Sequence, residues 1–301
     1  MEDMNNAITI VTVCDNHYAV MLAALLKSIE VNRMGQEQIA LYIVDDGLKA
    51  SSKSKISESV SGQVFDLTWL NLDDVIPDQT MLPLDNSTFP LNVYIRLFIP
   101  HFIPPSLGRV LYLDVDMIVE TDIARLWEMD MQGRVIAGVV DRSETVSSKW
   151  GGITNYKELG LHPETKYFNS GLLLMDPIKW REEDLTSRIL ACVSENSRYA
   201  GFPDQYGLNV VLANQWLELD SRWNSYSTSN NTDPYVIHFI GVKPIYTSYD
   251  LNNDYRTRFF HYLRLTKWSG FKPISNNFRL MKKLYNKIVK RWRGLVSQTP
   301  S

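Results

Sequence analysis

Apolar positions along this chain fall into short β-branched runs separated by stretches with helical spacing. Ile8-Thr9-Ile10-Val11-Thr12-Val13 predicts a strand bounded by Asp15-Asn16, and residues 18–29 carry the apolar spacing of a helix. Ile39 to Val44 predicts a second strand, ending in the turn signal Asp45-Asp46-Gly47. A short helix over 53–60 and a third strand over 64–67 follow. This alternation predicts an α/β fold with a largely parallel sheet, which binds ligands at the carboxyl ends of its strands. Further along, the pattern predicts a short helix over 92–99 carrying Arg96 and a buried strand over 135–140 closed by Asp141. Residues 167–176 place polar Asn169 and Ser170 beside another strand. A helix from Pro203-Asp204 to Leu212 and a last strand over 236–239 lead into Gly241-Val242-Lys243-Pro244.

One apolar run is interrupted in a way that packing alone does not explain. In Val110-Leu111-Tyr112-Leu113-Asp114-Val115-Asp116-Met117-Ile118-Val119, two carboxylates one residue apart break a buried stretch. An unpaired buried carboxylate is costly, so two of them call for a cation or a dense set of donors. Side chains at i and i+2 of a strand share a face, and a turn after Asp114 lets both carboxylates reach one ion. The first glycine of the chain is Gly35. No glycine-rich loop therefore follows the first strand, which removes the dinucleotide fingerprint and the P-loop from their usual place. A nucleotide on this sheet needs its phosphates held by another means, and a metal on Asp114 and Asp116 is the obvious one.

Composition adds boundaries. The chain has 301 residues, 45% of them hydrophobic, enough for a large core without a linker or repeat. The polar start, and the break of the first apolar run by Asp15-Asn16-His17, argue against a signal peptide or membrane span. Cys14 and Cys192 sit in apolar contexts and read as free thiols in a reducing cytoplasm. Net charge is -3, but nine of the 31 basic residues and none of the 34 acidic ones lie from Lys267 onward. The remainder then carries 22 basic against 34 acidic residues, a net of -12. This divides the chain into a body over 1–266 and a basic tail over 267–301. Leu280, Leu284, Ile288 and Trp292 recur at four-residue spacing among lysines and arginines. That is the pattern of an amphipathic helix docking at an anionic membrane surface, which places the protein peripherally at the inner face of the membrane. The acidic body argues against nucleic acid as a partner.

Four segments occur together in a telling order: Tyr112-Leu113-Asp114-Val115-Asp116, Phe168-Asn169-Ser170-Gly171 with Lys179-Trp180-Arg181, Asp204-Gln205, and His238-Phe239-Ile240-Gly241-Val242-Lys243-Pro244. In this the chain resembles glycosyltransferase family 8, which includes glycogenin and bacterial lipopolysaccharide galactosyl- and glucosyltransferases. The likeness runs from about Ile8 to Tyr249. It implies a GT-A fold, a Rossmann-like mixed sheet flanked by helices, over 1–266. It further implies Mn2+, with Mg2+ as the alternative, on Asp114, Asp116 and His238. Oxygen ligands with one imidazole suit that ion better than structural zinc.

By the same resemblance, Val13, Asp15 and Tyr18 hold uridine, Asp15 accepting from the uracil N–H and Tyr18 stacking on the ring. His17 stands where an asparagine is common. Lys243, after the Gly241 turn, and Arg96 meet the diphosphate of a UDP-hexose. Val115, Asn169 and Ser170 lie along the donor. Asn169, Asp204 and Gln205 surround the transferred sugar, and Asp141 lies near the acceptor. The resemblance implies retention of anomeric configuration. An amide is a poor nucleophile, so a front-side transfer is expected, with Gln205 and Asp204 stabilising oxocarbenium character. Two residues depart from the pattern: Tyr206 stands in place of an acid and Ile245 in place of a tryptophan. They are expected to alter sugar or acceptor contacts and to loosen packing beneath Lys243.

The function expected is transfer of galactose or glucose from a UDP-sugar to a glycan, lipid-linked or glycoprotein acceptor, as in lipopolysaccharide or surface polysaccharide synthesis. A nucleotidyltransferase is the first alternative, although it usually wants a glycine-rich basic loop after the first strand. A non-catalytic UDP-sugar binder is the second.

Overall fold

A computed structural model describes residues 7–76, 80, 82, 83, 91–277 and 281. The first half alternates as its pattern predicts: β1 (Ile8–Asp15), α1 (Ala19–Asn32), β2 (Ile39–Asp46), α2 (Ala50–Ser57), β3 (Phe65–Asn71) and α3 (Leu72–Val75). A 3-10 helix over Leu91–Leu97 carries Arg96, and α4 (Ile99–Phe102) follows it. Next come β4 (Val110–Leu113), β5 (Met117–Val119), α5 (Ala124–Trp127), β6 (Ile136–Thr145) and β7 (Lys166–Met175). The remainder is α6 (Pro177–Glu182), α7 (Leu185–Glu195), α8 (Pro203–Val211), β8 (Leu217–Glu218), a 3-10 turn over Ser221–Asn224, β9 (Ser225–Tyr226), β10 (Val236–His238) and α9 (Asn253–Arg264).

Two sheets result. The larger runs β3-β2-β1-β4-β7-β6-β8 and the smaller β5-β10-β9. Strands β3, β2, β1 and β4 are parallel, whereas β7 is antiparallel to both β4 and β6, so the sheet is mixed rather than largely parallel. Helix α1 is buried along most of its length against β1 and β5, which explains its nearly unbroken apolar sequence. Helix α6 begins with Asp176, whose side chain accepts from the N–H groups of Ile178 and Lys179, and with Pro177 in its first turn. Both features satisfy or avoid orphan donors at a helix start.

Several boundaries differ from the pattern, each for a tertiary reason. The 110–119 run is two strands in two sheets, broken at Asp114-Val115-Asp116. Helix α2 starts earlier than expected because Asn16 Oδ1 accepts from Lys49 N and Ser52 Oγ and anchors its first turn. Asp141 does not close β6 but lies within it, and Asn169 and Ser170 lie within β7 rather than beside it. The first residues of the basic tail rest on the domain. Trp268 packs into the core, Lys267 N donates to Ser59 Oγ, and Ile274 exchanges backbone hydrogen bonds with Ile245 and Thr247. The amphipathic segment over 280–292 lies outside the described residues apart from Met281. Among the described residues no helix is long and apolar enough to cross a membrane.

Candidate functional site

The break between β4 and β5 creates the site. Strand β4 ends at Leu113, the chain turns, and β5 begins at Met117 in the smaller sheet, so Asp114 and Asp116 face the ends of β7 and β10. The backbone holds this turn from both sides: Asp114 N donates to Gly171 O at 2.8 Å, and Phe239 N to Asp116 O at 2.8 Å. His238, the last residue of β10, then brings Nε2 to 3.3 Å from Asp116 Oδ1 and 4.0 Å from Asp114 Oδ2. One ligand atom from each of Asp114, Asp116 and His238 lies within 4.8 Å of the others.

Hydrogen-bond accounting fixes which imidazole nitrogen faces the carboxylates. Gly171 N can only donate, and it donates to Asn169 Oδ1 at 3.0 Å. That oxygen also accepts from Asn224 Nδ2 at 2.9 Å, so Asn224 Oδ1 must be the atom 2.9 Å from His238 Nδ1. The ring therefore donates from Nδ1, and Nε2 is the nitrogen that faces the two carboxylates: protonated it pairs with them, deprotonated it turns a lone pair toward them. A lone pair aimed at two anions is unfavourable unless a cation sits among them, and a second hydrogen bond on the far nitrogen is how metal-binding histidines are oriented. The donor set of two carboxylates and one imidazole fits a divalent ion with oxygen preference.

Two cations hold the carboxylates. Arg96 is buried, places Nη2 3.0 Å from Asp114 Oδ1 and Nε 3.1 Å from Asp204 Oδ2, donates to Ser170 O, and lies 4.5 Å over the Tyr112 ring. Lys243 pairs with Asp116 and donates to Phe239 O at 2.6 Å. Burial pushes the Asp116 carboxyl up, but Lys243 and His238 outweigh it and hold it below the ordinary carboxylate range. Burial raises Asp114, and the Asp116 charge raises it further against the pull of Arg96 and His238. Gly171 makes the packing achievable: a Cβ there would stand 2.7 Å from Asp114 Oδ2 and from His238 Cε1.

Beyond the cluster lies a second polar group. Gln205 Oε1 accepts from Asn169 Nδ2 and Ser170 N, each at 3.1 Å, and its Nε2 donates to Asp141 Oδ2 at 3.3 Å. Asp204 Oδ2 accepts from Ser170 Oγ at 2.9 Å. The N-terminus of α8, opened by Pro203, thus delivers Asp204 and Gln205 against the middle of β7.

All the candidate residues chosen from sequence line one cleft of about 670 Å³: Val13, Asp15, Tyr18, Arg96, Asp114, Val115, Asp116, Asp141, Asn169, Ser170, Asp204, Gln205, His238, Gly241 and Lys243. His17 does not line it and bonds the Tyr246 hydroxyl at 2.6 Å. Tyr206 points into the core, its hydroxyl donating to Asn155 Oδ1 at 2.9 Å, so its effect on sugar contacts is at most indirect. Ile245 is fully buried in the cluster of α1, β10 and α9, and fills the space expected to be loose. Lys179, Trp180 and Arg181 are structural: Trp180 donates to Thr186 Oγ1, and the other two donate to the carbonyls of Gly133 and Pro100. Sequence reasoning missed Tyr112, Arg142, Trp150, Phe202, Tyr226 and Tyr246 in the lining, and Asn224 behind it. Tyr112 alone carried a signal, because it shares the strand face with Asp114, to which its hydroxyl donates at 2.6 Å.

Comparison with known proteins agrees with this geometry. The profile of glycosyl transferase family 8 matches residues 9–244. General stress protein A of Bacillus subtilis (strain 168) is 27% identical over 281 residues, covering 86% of this chain and 94% of that protein. Lipopolysaccharide 1,2-glucosyltransferase of Escherichia coli (strain K12) is 31% identical over 136 residues, 45% of this chain and 39% of that protein. The galactosyltransferase LgtC, solved in complex with donor and acceptor sugar analogues, superimposes with a TM-score of 0.70 at 23% identity over 86% of this chain and 96% of its own. The bifunctional glycosyltransferase WbbM gives 0.74 at 19% identity, over 88% of this chain but only 51% of its own. The α/β architecture is that of the GT-A glycosyltransferases, and the chain belongs to glycosyl transferase family 8.

Proposed function

We propose that the protein is a retaining transferase that moves galactose or glucose from UDP to a glycan, lipid-linked or glycoprotein acceptor of a cell-surface polymer. The observation that carries this reading is the convergence of Asp114, Asp116 and His238 within 4.8 Å, flanked by Lys243 and Arg96, inside a cleft large enough for a sugar nucleotide. Asp114, Asp116 and His238 would hold Mn2+, or Mg2+ as the alternative. When bound, the ion supplies a Lewis acid that neutralises charge on the departing diphosphate.

The rest is done by the chain. Val13, Asp15 and Tyr18, at the end of β1, receive the uridine, and the turn at Gly241 presents Lys243 to the diphosphate. Lys243 pairs with Asp116, which holds its ammonium at the diphosphate end of the cleft. Gln205 is a poor nucleophile here for a structural reason as well as a chemical one. Its carbonyl oxygen already accepts two hydrogen bonds, and its amide is tied to Asp141. Asp204 is neutralised by Arg96. Neither is set up to attack the anomeric carbon, which favours front-side transfer. The bond from C1 to the phosphate oxygen breaks, the acceptor oxygen bonds C1 on the same face, and its proton passes to the departing phosphate. Asp204 and Gln205 orient the sugar and stabilise positive charge at C1. Docking of the basic tail at a membrane belongs to the same reading, since a lipid-linked acceptor lies at the bilayer surface.

The test is UDP release from UDP-glucose, UDP-galactose and UDP-N-acetylglucosamine, with and without Mn2+. Metal-dependent release from one donor supports the transferase. Pyrophosphate formed from UTP and a sugar phosphate would make it a nucleotidyltransferase instead, and tight UDP binding without turnover would make it a binder. Asp116→Ala is expected to abolish metal-dependent UDP binding, and unchanged affinity would remove the proposed centre.

A further inference from the structure

One wall of the cleft carries none of the residues proposed above to hold the donor. Trp150 lines it while remaining 57% exposed, and the loop that carries it is built to hold it there. Ile153 N returns to Val146 O at 2.8 Å, Ser148 N to Thr145 O at 3.1 Å, and Ser143 Oγ donates to Trp150 O. Gly151, with φ +73, has no room for a Cβ beside Ser143 Oγ. The loop backbone thus fixes where Trp150 emerges, and its ring presents an apolar face to the cleft.

Two further groups stand beside it. The Arg142 guanidinium lies 4.5 Å over the Trp150 ring and 5.7 Å from the Tyr226 ring, and no carboxylate pairs with it among the described residues. The Tyr226 hydroxyl is buried in the cleft wall beside Asp141. Burial, then the nearby Asp141 charge, holds that phenol well above its ordinary pKa, so it stays a donor. An aromatic face, a cation without a carboxylate partner among the described residues, and a phenol hydroxyl are together what a sugar carrying a negative charge needs. The apolar C–H face stacks on a ring, an edge hydroxyl takes the phenol, and arginine matches an oxyanion.

We propose that Trp150, Arg142 and Tyr226 form the acceptor platform and select an anionic sugar. The acceptor ring stacks on Trp150, one of its hydroxyls meets the Tyr226 phenol beside Asp141, and its phosphate or carboxylate meets Arg142. The inference rests on the transfer reading above and adds the class of acceptor to it.

The test uses the purified full chain with Mn2+ and saturating donor. Acceptor saturation is followed by UDP release with methyl glucoside, glucose 6-phosphate and methyl glucuronide as probes, and UDP affinity is measured alongside by calorimetry. The two charged probes are expected to saturate at concentrations at least tenfold lower than the neutral one, their ranking separating phosphate from carboxylate. Arg142→Gln erases the difference. Trp150→Ala raises the acceptor KM tenfold or more for all three probes, and Trp150→Phe restores most of it. Tyr226→Phe raises the acceptor KM severalfold with kcat and UDP affinity unchanged, a split that a merely structural tyrosine would not give. Met34→Gln, which removes another exposed apolar side chain, changes none of these. UDP affinity is unchanged in every variant. An acceptor KM untouched by Trp150→Ala, or a charge preference that survives Arg142→Gln, overturns the platform. So does a panel with no turnover and no Trp150-dependent saturation-transfer signal in the presence of UDP. Loss of metal-dependent UDP binding in the unmodified chain instead overturns the transfer reading on which it rests.

Discussion

Asn224→Ala tests the orientation of the metal-facing histidine without touching a ligand. Asn224 and His238 are both buried, and their side chains meet at 2.9 Å. Removing the amide leaves the Nδ1–H with two options. It stays unpaired, costing about 1–3 kcal/mol as an orphaned buried donor, or the proton moves to Nε2. In the second case the ring donates to Asp116 Oδ1, already 3.3 Å away, and its lone pair leaves the cluster. The second option costs no more than the first and is the one expected, so restoring the binding tautomer draws on the free energy of metal binding. At 1.4 kcal/mol per factor of ten, the loss is roughly 10- to 100-fold in Mn2+ affinity, the range typical of lost outer-shell partners. Asn224→Asp separates this from the other role of the residue. It keeps an acceptor for Nδ1 but loses the donor to Asn169 Oδ1, so it should retain Mn2+ affinity. Calorimetric Mn2+ titration reads the affinities, and 15N chemical shifts of His238 report the tautomer in the metal-free protein. Wild-type affinity in Asn224→Ala, with Nδ1 still protonated, would refute the reasoning.

Other outcomes follow from the same geometry. Gly171→Ala should displace Asp114 and His238 and reduce metal-dependent UDP binding at least tenfold, with a far-ultraviolet circular dichroism spectrum like that of the parent. Arg96→Met strands Asp114 and Asp204 in a buried setting and should cost about 3–5 kcal/mol in urea unfolding, the scale for removing one partner of a buried ion pair. Burial, then Glu195, pushes the Cys192 thiol up to about 11. The thiolate is therefore scarce at neutral pH, and alkylation of Cys192 by iodoacetamide should be slow at pH 8 and accelerate as pH approaches that value. Deleting residues 271–301 should abolish cosedimentation with anionic vesicles, and binding that survives the deletion would exclude the tail as the docking element.

The alternating sheet and the Asp114-Asp116 pair were legible because periodicity and the cost of buried charge act locally. The strand break was half legible. Two carboxylates called for a turn, but only the pairing of Met117–Val119 with β10 shows that the chain changes sheet there. Asp141 looked like a strand terminator because Asp commonly ends strands. In the fold it stays inside β6 because Asn169 and Gln205, from β7 and α8, satisfy its carboxylate. Tyr206 looked like a departure in the site because it follows Asp204-Gln205 directly, yet its helix position turns it into the core toward Asn155. Asn224, Tyr226 and Trp150 gave no signal, since nothing in their neighbourhoods marks a residue whose task is set by partners far away in sequence.

The seam between the two sheets has a consequence for how this protein can change over evolutionary time. Asp114 follows a strand of one sheet, Asp116 precedes a strand of the other, and His238 is paired opposite Met117 in that second sheet. A one-residue slip of β10 along β5 would turn His238 to the opposite face. An insertion or deletion within the short stretches that set this pairing would therefore separate the three residues, whereas one in the loop bearing Trp150 would leave the register intact.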